Sequence, residues 1–586
     1  MDQKKVMRSH LSPWRGLATP TRRRWCQAAA RPTTVLVIAV TVFAALLLAV
    51  VLFGVRLTPS GVSAGVRVVL KAVSSDQGTG RVPLATVPDP SDRLLGGLLS
   101  PDFDDSSCLS RYSAALYRRP SLHAVSSYLV SALRRYESLH RRCGPGTPAY
   151  ARAVELLRAN ASAATTTTSS SSAAASSGGS CSYAVWTPIE GLGNRILSIT
   201  STFLYALLTD RVLLLHSSSD ELDDLFCEPF PGSTWRIPPP ADDKDKDGGF
   251  PIGGIEKLTG WWHHDSLGSA LRRGEDPGVA PWLYVHLRHD YTKDNRDQQF
   301  FCDDTQAKLG TVPWLVFRSD NYFVPGLFLM PRHEAELSRM FPRRDVVFHH
   351  LGRYLFHPSD TVWGMVTRYH RSFFAKAADE RVGIQVRRFY WAPISTDDLF
   401  GQILNCTQRE DILPGVPAAA AAKGSSSTAG AGNGGQQAGK QKAVLVVSLH
   451  REYSEKLRDM YHEHGGAVSV YQPTHLGSQR SGEREHNQKA LAEMVLLSFS
   501  DAVVTSAAST FGYVGQGLAG LRPWVLTSPV DKKAPDTPCR RAATMEPCFH
   551  VPLDYDCRAK AKGDAGRRVR HIRHCEDFPQ GVQLLE

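Results

Sequence analysis

Apolar residues in the last two thirds of the chain alternate between short strand-like runs and the spacing of an amphipathic helix. An apolar run at 183–186 predicts a strand, and a glycine-rich turn follows it. Apolar residues then recur at helical spacing through 196–208, before a second strand at 212–215. Further strands are predicted at 382–386, 444–449, 468–471, 502–505 and 524–526, with a helix at 489–500. Two such blocks predict an α/β fold with two Rossmann-like domains facing a cleft.

The segments before and between these blocks have a different composition. Residues 106–158 carry Leu, Tyr and Arg at helical spacing, which predicts a small helical region leading into the fold. Residues 161–180 and 417–440 are rich in Ala, Ser, Thr or Gly. They cannot bury enough apolar area to offset their ordering entropy, so we expect disordered surface insertions. The predicted domains are an N-terminal α/β domain at 106–370 and a C-terminal α/β domain at 371–586.

An uncharged apolar run occupies residues 33–55. As a helix it reaches roughly 34 Å, enough to cross the hydrocarbon core of a membrane. It is longer than the apolar region of a secretory signal peptide, about 7–15 residues. Lys and Arg precede it, and such charges stay cytosolic. The sequence therefore predicts a cytosolic tail at 1–32, a transmembrane helix at 33–55 and a lumenal stem at 56–105. A buried helix of a soluble protein is the alternative.

The charge and the cysteines agree with that topology. Residues 1–56 contain nine of the 68 Lys and Arg residues and only one of the 57 acidic residues. The net charge of +11 therefore belongs mostly to the tail. A nucleic-acid-binding body is disfavoured. Ten cysteines follow the apolar run, which allows up to five disulfides in an oxidising lumen and leaves their connectivity open. Asn160 and Asn405 begin formal glycosylation sequons.

The turn at 191–195 is the first candidate for ligand binding. Its glycines let the backbone approach a ligand closely, and the helix that follows points free N–H groups toward an anion. Asn194 could bond a sugar hydroxyl or cap the helix, and Arg195 could pair with phosphate. The alternative is a tight strand–helix turn with a solvated arginine.

Two more candidates lie at later strand ends, where open parallel sheets bind ligands. Arg387 and Arg388 end the strand at 382–386, and a guanidinium fork stabilises departing pyrophosphate without a metal. In the glycine-rich stretch 506–517, Ser509, Thr510 and neighbouring amides could cradle phosphates. A solvated arginine pair and a structural turn are the respective alternatives.

Weaker candidates complete the set. Asp320 follows the apolar run at 314–317 and could face an acceptor hydroxyl, although a cap or turn role is the commoner one. The adjacent histidines at 263–264 and 349–350 would diverge on strands, which disfavours a shared metal. The D-x-D pair at 102–104 lies in the predicted stem. No metal is assigned.

Several long motifs resemble the plant xyloglucan α-1,2-fucosyltransferase family. In chain order they are GLGNRILSITSTFLYALLTDRVLLL, PWLVFRSDNYFVPGLF, FHHLGRYLFHPSDTVWG, VGIQVRRF, KALAEMVLLSFSDAVVTSAASTFGYVGQGLAGLRPW, EPCFH and RHCED. The resemblance covers roughly residues 181–580. It implies a variant GT-B fold, Golgi type II membrane topology, GDP-fucose as donor, inversion at the anomeric carbon, and no cofactor or divalent cation.

The resemblance also implies roles for single residues. Arg387 matches the arginine that holds the GDP pyrophosphate, and Asp320 falls on the aspartate near the acceptor hydroxyl. The implied donor-binding residues are Gly191, Gly193, Asn194, Arg195, Gln385, Arg388, Ser509, Thr510, Phe511 and Gly512. Family members have Trp before S-T-F-G-Y where this chain has Ala508, which predicts a more open wall of the site.

The predicted reaction is a single displacement in which an acceptor hydroxyl attacks fucose as GDP departs. The expected acceptor is galactose O2 of a cell-wall glycan such as xyloglucan or arabinogalactan, and the expected location is the Golgi membrane with a lumenal catalytic domain. A homodimer is left open. Two alternatives remain: a catalytically silent Golgi protein that binds glycans or scaffolds other transferases, and a transferase that uses another nucleotide sugar.

Overall fold

The protein is described by a computed structural model. Its described residues are 93–163, 181–216, 222, 224–238, 255, 258, 260–289, 296–374, 379–415, 441–463 and 468–586. All of them lie within one compact unit, Thr86–Glu586. The predicted tail and membrane run lie outside these residues, as do most of the stem and of both predicted insertions. No helix in the described ranges combines the length and apolar character that crossing a bilayer requires.

The first half of this unit is built on a parallel sheet. Its strands are β1 (Ser182–Thr187), β2 (Arg211–Leu215), β3 (Trp282–Leu287) and β4 (Trp314–Ser319), in the order β2-β1-β4-β3. All neighbouring pairs are parallel. The runs that predicted β1 and β2, and the apolar run at 314–317 that lies in β4, are buried almost throughout, as strands covered on both faces must be. The pattern misses β3, because Tyr284 and His286 interrupt its apolar run.

The second half carries a larger sheet. Its strands are β5 (Glu380–Val386), β6 (Lys442–Ser448), β7 (Val468–Tyr471), β8 (Ala502–Ser506), β9 (Trp524–Leu526) and β10 (Cys539–Arg541), in the order β10-β9-β8-β5-β6-β7. Every pair is parallel except β9 with β10. The five strands predicted here are confirmed, and β10 is an antiparallel edge that the pattern misses.

Two short antiparallel pairs follow near the C-terminus. They are β11 (Tyr555–Asp556) with β12 (Ala561–Lys562), and β13 (Ile572–His574) with β14 (Val582–Leu584). The α-helices of the described residues are α1 (Leu109–Ser113), α2 (Ser127–Cys143), α3 (Pro148–Ala163), α4 (Leu192–Leu208), α5 (Leu267–Arg273), α6 (Asp303–Leu309), α7 (Val324–Phe328), α8 (Glu334–Met340), α9 (Val347–Leu355), α10 (Asp360–Tyr369), α11 (Thr396–Arg409), α12 (Glu452–Glu463), α13 (Arg484–Leu497) and α14 (Thr510–Ala519).

Helix α4 connects the two halves. It packs against β1, β2 and β4 of the first sheet and against α9, α13 and α14, of which α13 and α14 contact the second sheet. Because it is apolar on nearly every face, it is buried almost throughout. Ile196, Phe203 and Leu204 are each no more than 1% exposed and share one core with residues of β6, α13 and α14. The start of α4 is therefore fixed between the two sheets.

The helical region predicted at 106–158 is present in part. Helices α1, α2 and α3 form there, and α3 continues into the first residues of the predicted insertion at 161–180. Leu116 and Leu122 lie outside the α-helices and are 65% and 90% exposed. Leu98 and Leu99, which the sequence places in the stem, are instead buried in the main core.

All ten cysteines that follow the predicted membrane run form disulfides. The pairs are Cys108–Cys227, Cys143–Cys181, Cys302–Cys557, Cys406–Cys539 and Cys548–Cys575. The expectation of up to five disulfides is confirmed, and the structure supplies the connectivity.

The C-terminal segment returns to the first half of the unit. The Cys302–Cys557 disulfide joins the two across 255 positions of sequence. The rings of Phe301 and Phe549 pack 6.2 Å apart, and Tyr322 donates a hydrogen bond of 2.6 Å to Glu546. Motifs that are far apart in sequence thereby reach the same edge of the first sheet.

Candidate active site

Two helix starts meet between the sheets. One belongs to the Gly191 loop (residues 188–195), which leads from β1 into α4, and the other to the Ser509 loop (residues 506–512), which leads from β8 into α14. A Cβ on Gly193 would lie 2.8 Å from the carbonyl carbon of Thr510, so only glycine allows this approach. Asn194 Oδ1 accepts a 3.1 Å hydrogen bond from the Thr510 hydroxyl. Two sets of free helix N–H groups, each favourable to an anion, are thus side by side.

The loop that follows β4 joins the same place. Asn194 Nδ2 donates to the backbone oxygen of Asp320 at 2.9 Å, so the Asn194 side chain bridges the Ser509 loop and the end of β4. Asparagine suits this position because its amide accepts on one side and donates on the other. Three strand ends therefore converge on one side chain.

Arg387 lies at the end of β5 beside both loops. Its backbone N–H donates to Ser506 Oγ at 2.8 Å, and its guanidinium donates to Gln479 Oε1 at 2.8 Å. Gln479 Nε2 in turn lies 2.7 Å from the position that a Cβ on Gly191 would take. Burial lowers the pKa of the Arg387 guanidinium. Within the part of the chain that the structure describes it forms no ion pair with a carboxylate, which leaves its charge available to an anion.

Several predicted donor-site residues are buried and make hydrogen bonds that stabilise the strands and loops around the site. Gln385 is 3% exposed, and its Oε1 accepts from the Thr505 hydroxyl at 2.7 Å, which ties β5 to β8. Arg195 is 7% exposed and donates from Nε to the Glu190 carbonyl at 2.9 Å, so it braces the Gly191 loop. Ser509 caps α14 by accepting from Gly512 N–H.

The remaining predicted residues divide between the loop and the surface. Phe511 is half-buried in the first turn of α14. Arg388, the neighbour of Arg387 on an alternating strand, is exposed and donates to Thr396 Oγ1 at 3.3 Å. Asn405 is exposed on α11, although the Thr407 of its sequon is fully buried. The side chain of Asn160 lies outside the described residues.

The Asp320 carboxylate is buried and held by donors. The side chain is 4% exposed, and its Oδ1 lies 2.9 Å from His289 Nδ1 and accepts from Asn321 Nδ2 at 2.9 Å. Its Oδ2 has Arg288 Nε at 3.8 Å, beyond hydrogen-bond distance. One oxygen of the carboxylate is therefore fixed, and the other keeps capacity to accept.

The positive-φ position in the Ser509 loop is Ala508. Its φ is 56°, a left-handed conformation that costs a non-glycine residue about 1–2 kcal/mol. Its N–H donates to Asp577 Oδ2 at 2.9 Å, which holds that conformation. Ala508 is 7% exposed, and the expectation of a more open wall at this position stays a prediction.

The comparisons with known proteins agree with this geometry. A family model described as xyloglucan fucosyltransferase matches residues 69–558. The chain belongs to the xyloglucan fucosyltransferase family. It is 46% identical over 502 residues to a galactoside 2-alpha-L-fucosyltransferase of Arabidopsis thaliana, covering 84% of this chain and 83% of that protein. A galactoside 2-alpha-L-fucosyltransferase of Pisum sativum is 45% identical over 517 residues, covering 87% and 85%.

A solved structure is also similar. An Arabidopsis thaliana FUT1 mutant in complex with GDP matches with a TM-score of 0.73 and 45% identity, covering 84% of this chain and all of that chain. The α/β architecture with parallel sheets is therefore that of a GDP-binding relative in the xyloglucan fucosyltransferase family.

Sequence reasoning missed several residues of this family member's site. Gln479, His289, His550 and Asp577 were not candidates, although EPCFH and RHCED contain the last two. The Cys548–Cys575 disulfide joins these two motifs, and Tyr513 lies between His550 (3.2 Å) and Asp577 (2.6 Å). Polar residues flanking paired cysteines were the available signal. Gln479 follows no such pattern.

In the part of the chain that the structure describes, metal-ligating side chains are not assembled in this site. Among the described residues, two clusters group a carboxylate with two cysteines, and in both the sulfurs form a disulfide, Cys108–Cys227 or Cys548–Cys575. Such sulfur is not a thiolate ligand. Asp104 accepts from Ser106 N–H as the cap of a short 3-10 turn. The histidines at 263–264 lie in a turn and those at 349–350 in α9, so their expected placement on strands is wrong.

Proposed function

We propose that this member of the xyloglucan fucosyltransferase family transfers fucose from GDP-fucose to the 2-hydroxyl of a galactosyl residue in a cell-wall glycan, with inversion at the anomeric carbon. The observation that carries the proposal is the meeting of two helix starts beside the Arg387 guanidinium, with Asn194 bonded both to Thr510 and to the backbone oxygen of Asp320, whose carboxylate is buried at the same place. The names of the similar plant proteins support fucosyl transfer to a galactoside, and the GDP bound in the similar solved structure supports the donor.

The donor side acts on the leaving group. As the bond from fucose C1 to the β-phosphate oxygen breaks, its electron pair leaves with GDP. The Arg387 guanidinium and the amides at the starts of α4 and α14 stabilise that negative charge. Gln479 orients the guanidinium through its 2.8 Å hydrogen bond. These groups act most strongly in the transition state, where the charge on the diphosphate grows.

The acceptor side acts on the attacking hydroxyl. The galactosyl O–H bond breaks, its oxygen bonds to fucose C1 opposite the departing GDP, and its proton passes to the Asp320 carboxylate, directly or through water. Asn194 sets the spacing between the two sides, since it contacts Thr510 at 3.1 Å and the Asp320 backbone at 2.9 Å.

The finer structural and cellular assignments belong to the same proposal. Two Rossmann-like domains in a variant GT-B arrangement face the cleft, the reaction needs no divalent cation, and a membrane helix at 33–55 anchors the enzyme in the Golgi with its catalytic domain in the lumen. The two parallel sheets and the five disulfides, which suit an oxidising compartment, support it.

Transfer assays on the purified lumenal portion test the proposal. We expect labelled fucose to pass from GDP-fucose, and not from GDP-mannose or UDP-galactose, onto galactosylated xyloglucan oligosaccharides. Arg387→Ala should lower kcat by about 10²–10³-fold, the usual effect of deleting one charge-stabilising donor. Arg409→Ala, an exposed arginine at the end of α11, is the matched control.

Three outcomes would contradict the proposal. Calorimetry that detects no binding of GDP would favour a silent glycan-binding protein. Turnover of another nucleotide sugar would change the donor. Near-normal kcat in Arg387→Ala would remove its assigned role.

A further inference from the structure

A continuous series of polar contacts leads from Asp320 to the Ser509 loop. Asp320 Oδ1 lies 2.9 Å from His289 Nδ1, and His289 Nε2 lies 3.4 Å from His550 Nδ1. His550 Nε2 lies 3.2 Å from the Tyr513 hydroxyl. That hydroxyl donates to Asp577 Oδ2 at 2.6 Å, and the same oxygen accepts from Ala508 N–H. We call these five side chains the Asp320–Asp577 relay.

The proposed reaction uses only one end of this relay. Asp320 contacts the acceptor, and Ala508 belongs to the loop that binds the donor, but the three aromatic side chains between them have no role in it. Tyr513, His550 and Asp577 are buried or nearly so, which makes an idle polar series costly. Their contacts satisfy one another, so the relay is built as a unit.

The directions of these hydrogen bonds depend on one another. Burial lowers the pKa of His550 to about 3, so its ring is neutral and carries one N–H. When Tyr513 donates to ionised Asp577, its oxygen accepts from His550 Nε2–H, and the bare Nδ1 then accepts from His289 Nε2–H. In that arrangement His289 donates from Nε2 to His550 and from Nδ1 to Asp320.

A second arrangement holds the same number of protons. Burial raises the pKa of Asp577, so this carboxyl can hold the proton and reverse every bond of the series. Tyr513 then donates to His550, His550 donates to His289, and His289 still donates from Nδ1 to Asp320. In both arrangements Asp320 Oδ1 faces the Nδ1–H of His289, and the two arrangements differ in the direction of the other hydrogen bonds and in whether Asp577 carries a proton.

We infer that His289 is a positioning residue for Asp320, and that the Asp320–Asp577 relay couples this acceptor-side carboxylate to the loop that binds the donor. The inference rests on the proposed role of Asp320. His289 Nδ1 fixes Oδ1, so Oδ2 is the oxygen that accepts the proton of the attacking hydroxyl. A carboxylate that keeps this donor stays ionised to lower pH than one that has lost it.

Among the residues that the structure describes, the charged and titratable groups around His289 come from the ends of β3 and β4, the Gly191 loop and the C-terminal segment. Arg288 and Asp320 flank it at the ends of β3 and β4, and Arg288 also pairs with Glu190 of the Gly191 loop at 3.2 Å. His550 approaches from the C-terminal segment, where its ring packs 4.5 Å from Phe578. Because Arg288 is the same in every variant, a difference between their pH profiles reports on the substituted side chain and on the hydrogen bonds that it makes.

Substitutions at His289 test the inference in the full lumenal enzyme. In His289→Ala we expect kcat to fall by about 10–100-fold, the acid limb of the pH–kcat profile to move to higher pH, and the Kd for GDP to stay within twofold of wild type. His289→Asn places an amide N–H near the lost Nδ1 and should restore much of kcat. His264→Ala is the matched control, since His264 contacts Asp265 at 3.1 Å on an exposed surface.

Tyr513→Phe tests the coupling beyond His550, because it removes the hydroxyl that reaches Asp577. We expect the acid limb to move in the same direction by a smaller amount. If the pH–kcat profile of Tyr513→Phe equals that of wild type, the shift of the acid limb depends on His289 alone. That result would overturn the coupling.

Two results for His289→Ala would overturn the positioning role. One is a wild-type kcat with a wild-type pH–kcat profile. The other is an equal loss of kcat and of GDP affinity with an unchanged pH–kcat profile. If His289→Ala is insoluble, His289→Asn decides: a wild-type acid limb supports positioning and a lost kcat refutes it. Wild-type enzyme without fucosyl transfer would instead refute the proposed function.

Discussion

The close approach of the two helix starts makes Gly193→Ala an informative perturbation. The added methyl would lie 2.8 Å from the carbonyl carbon and Oγ1 of Thr510 and 2.9 Å from the amide nitrogen of Phe511. Two of these atoms are backbone at the start of α14, so no side-chain rotation can relieve the contact. Carbon atoms pack at about 3.5 Å or more. The helix starts must therefore separate by roughly half an ångström.

The separation acts on stability and on catalysis. Overpacking of this kind costs about 1–3 kcal/mol of unfolding free energy. It also stretches the 3.1 Å bond between Asn194 and Thr510, which sets the distance from the donor loops to Asp320. Since a misplacement of about 1 Å can cost 10²-fold in rate, half of that distance should lower kcat/KM by about tenfold.

Gly364→Ala supplies the matched control. Gly364 is exposed on α10, and a Cβ there would meet nothing within 4 Å. The same substitution should therefore stabilise the protein by about 0.5–1 kcal/mol, because alanine favours the helix. Thermal melting, GDP calorimetry and fucosyl transfer would be measured on both variants. If Gly193→Ala keeps wild-type melting, GDP affinity and kcat/KM, the two loops are not packed as tightly as this reasoning requires.

Two further predictions concern buried groups near the site. Burial raises the pKa of Glu546 to about 8, against 4.5 in an exposed carboxyl, so the folded protein holds a proton that the unfolded chain releases. The free energy of unfolding must then fall as pH rises from about 4.5 to about 8. Between about pH 5 and 9 we therefore expect wild type to lose stability relative to Glu546→Gln. An equal dependence of unfolding free energy on pH in the two proteins would contradict this. Ala508→Gly removes the cost of a left-handed alanine, about 1–2 kcal/mol, but adds backbone entropy to the unfolded chain. We therefore expect chemical denaturation to show an unfolding free energy higher by up to about 1 kcal/mol. A loss of more than about 1 kcal/mol would show that the Ala508 methyl packs usefully.

Local sequence determined most strands of the two sheets and the edge at which their ends meet. Buried parallel strands need continuous apolar runs, so β1, β5 and β8 were visible from composition alone, and a glycine-rich turn after such a run marks a helix start. Arg387 was found for the same reason, because strand ends of parallel sheets meet at one edge. The even number of cysteines after the predicted membrane run likewise predicted disulfides but not their partners.

Tertiary structure alone decided which polar residues share the site. His289 and His550 are 261 positions apart and Arg387 and Gln479 are 92 apart, so no local spacing connects them. The two histidines meet where the C-terminal segment, held by the Cys302–Cys557 and Cys548–Cys575 disulfides, packs against the first half. The outward or inward direction of Arg387 and Arg388 was equally hidden. Hydrophobic periodicity is a short-range property and therefore specifies elements, whereas a catalytic arrangement depends on long-range contacts that only the folded chain makes.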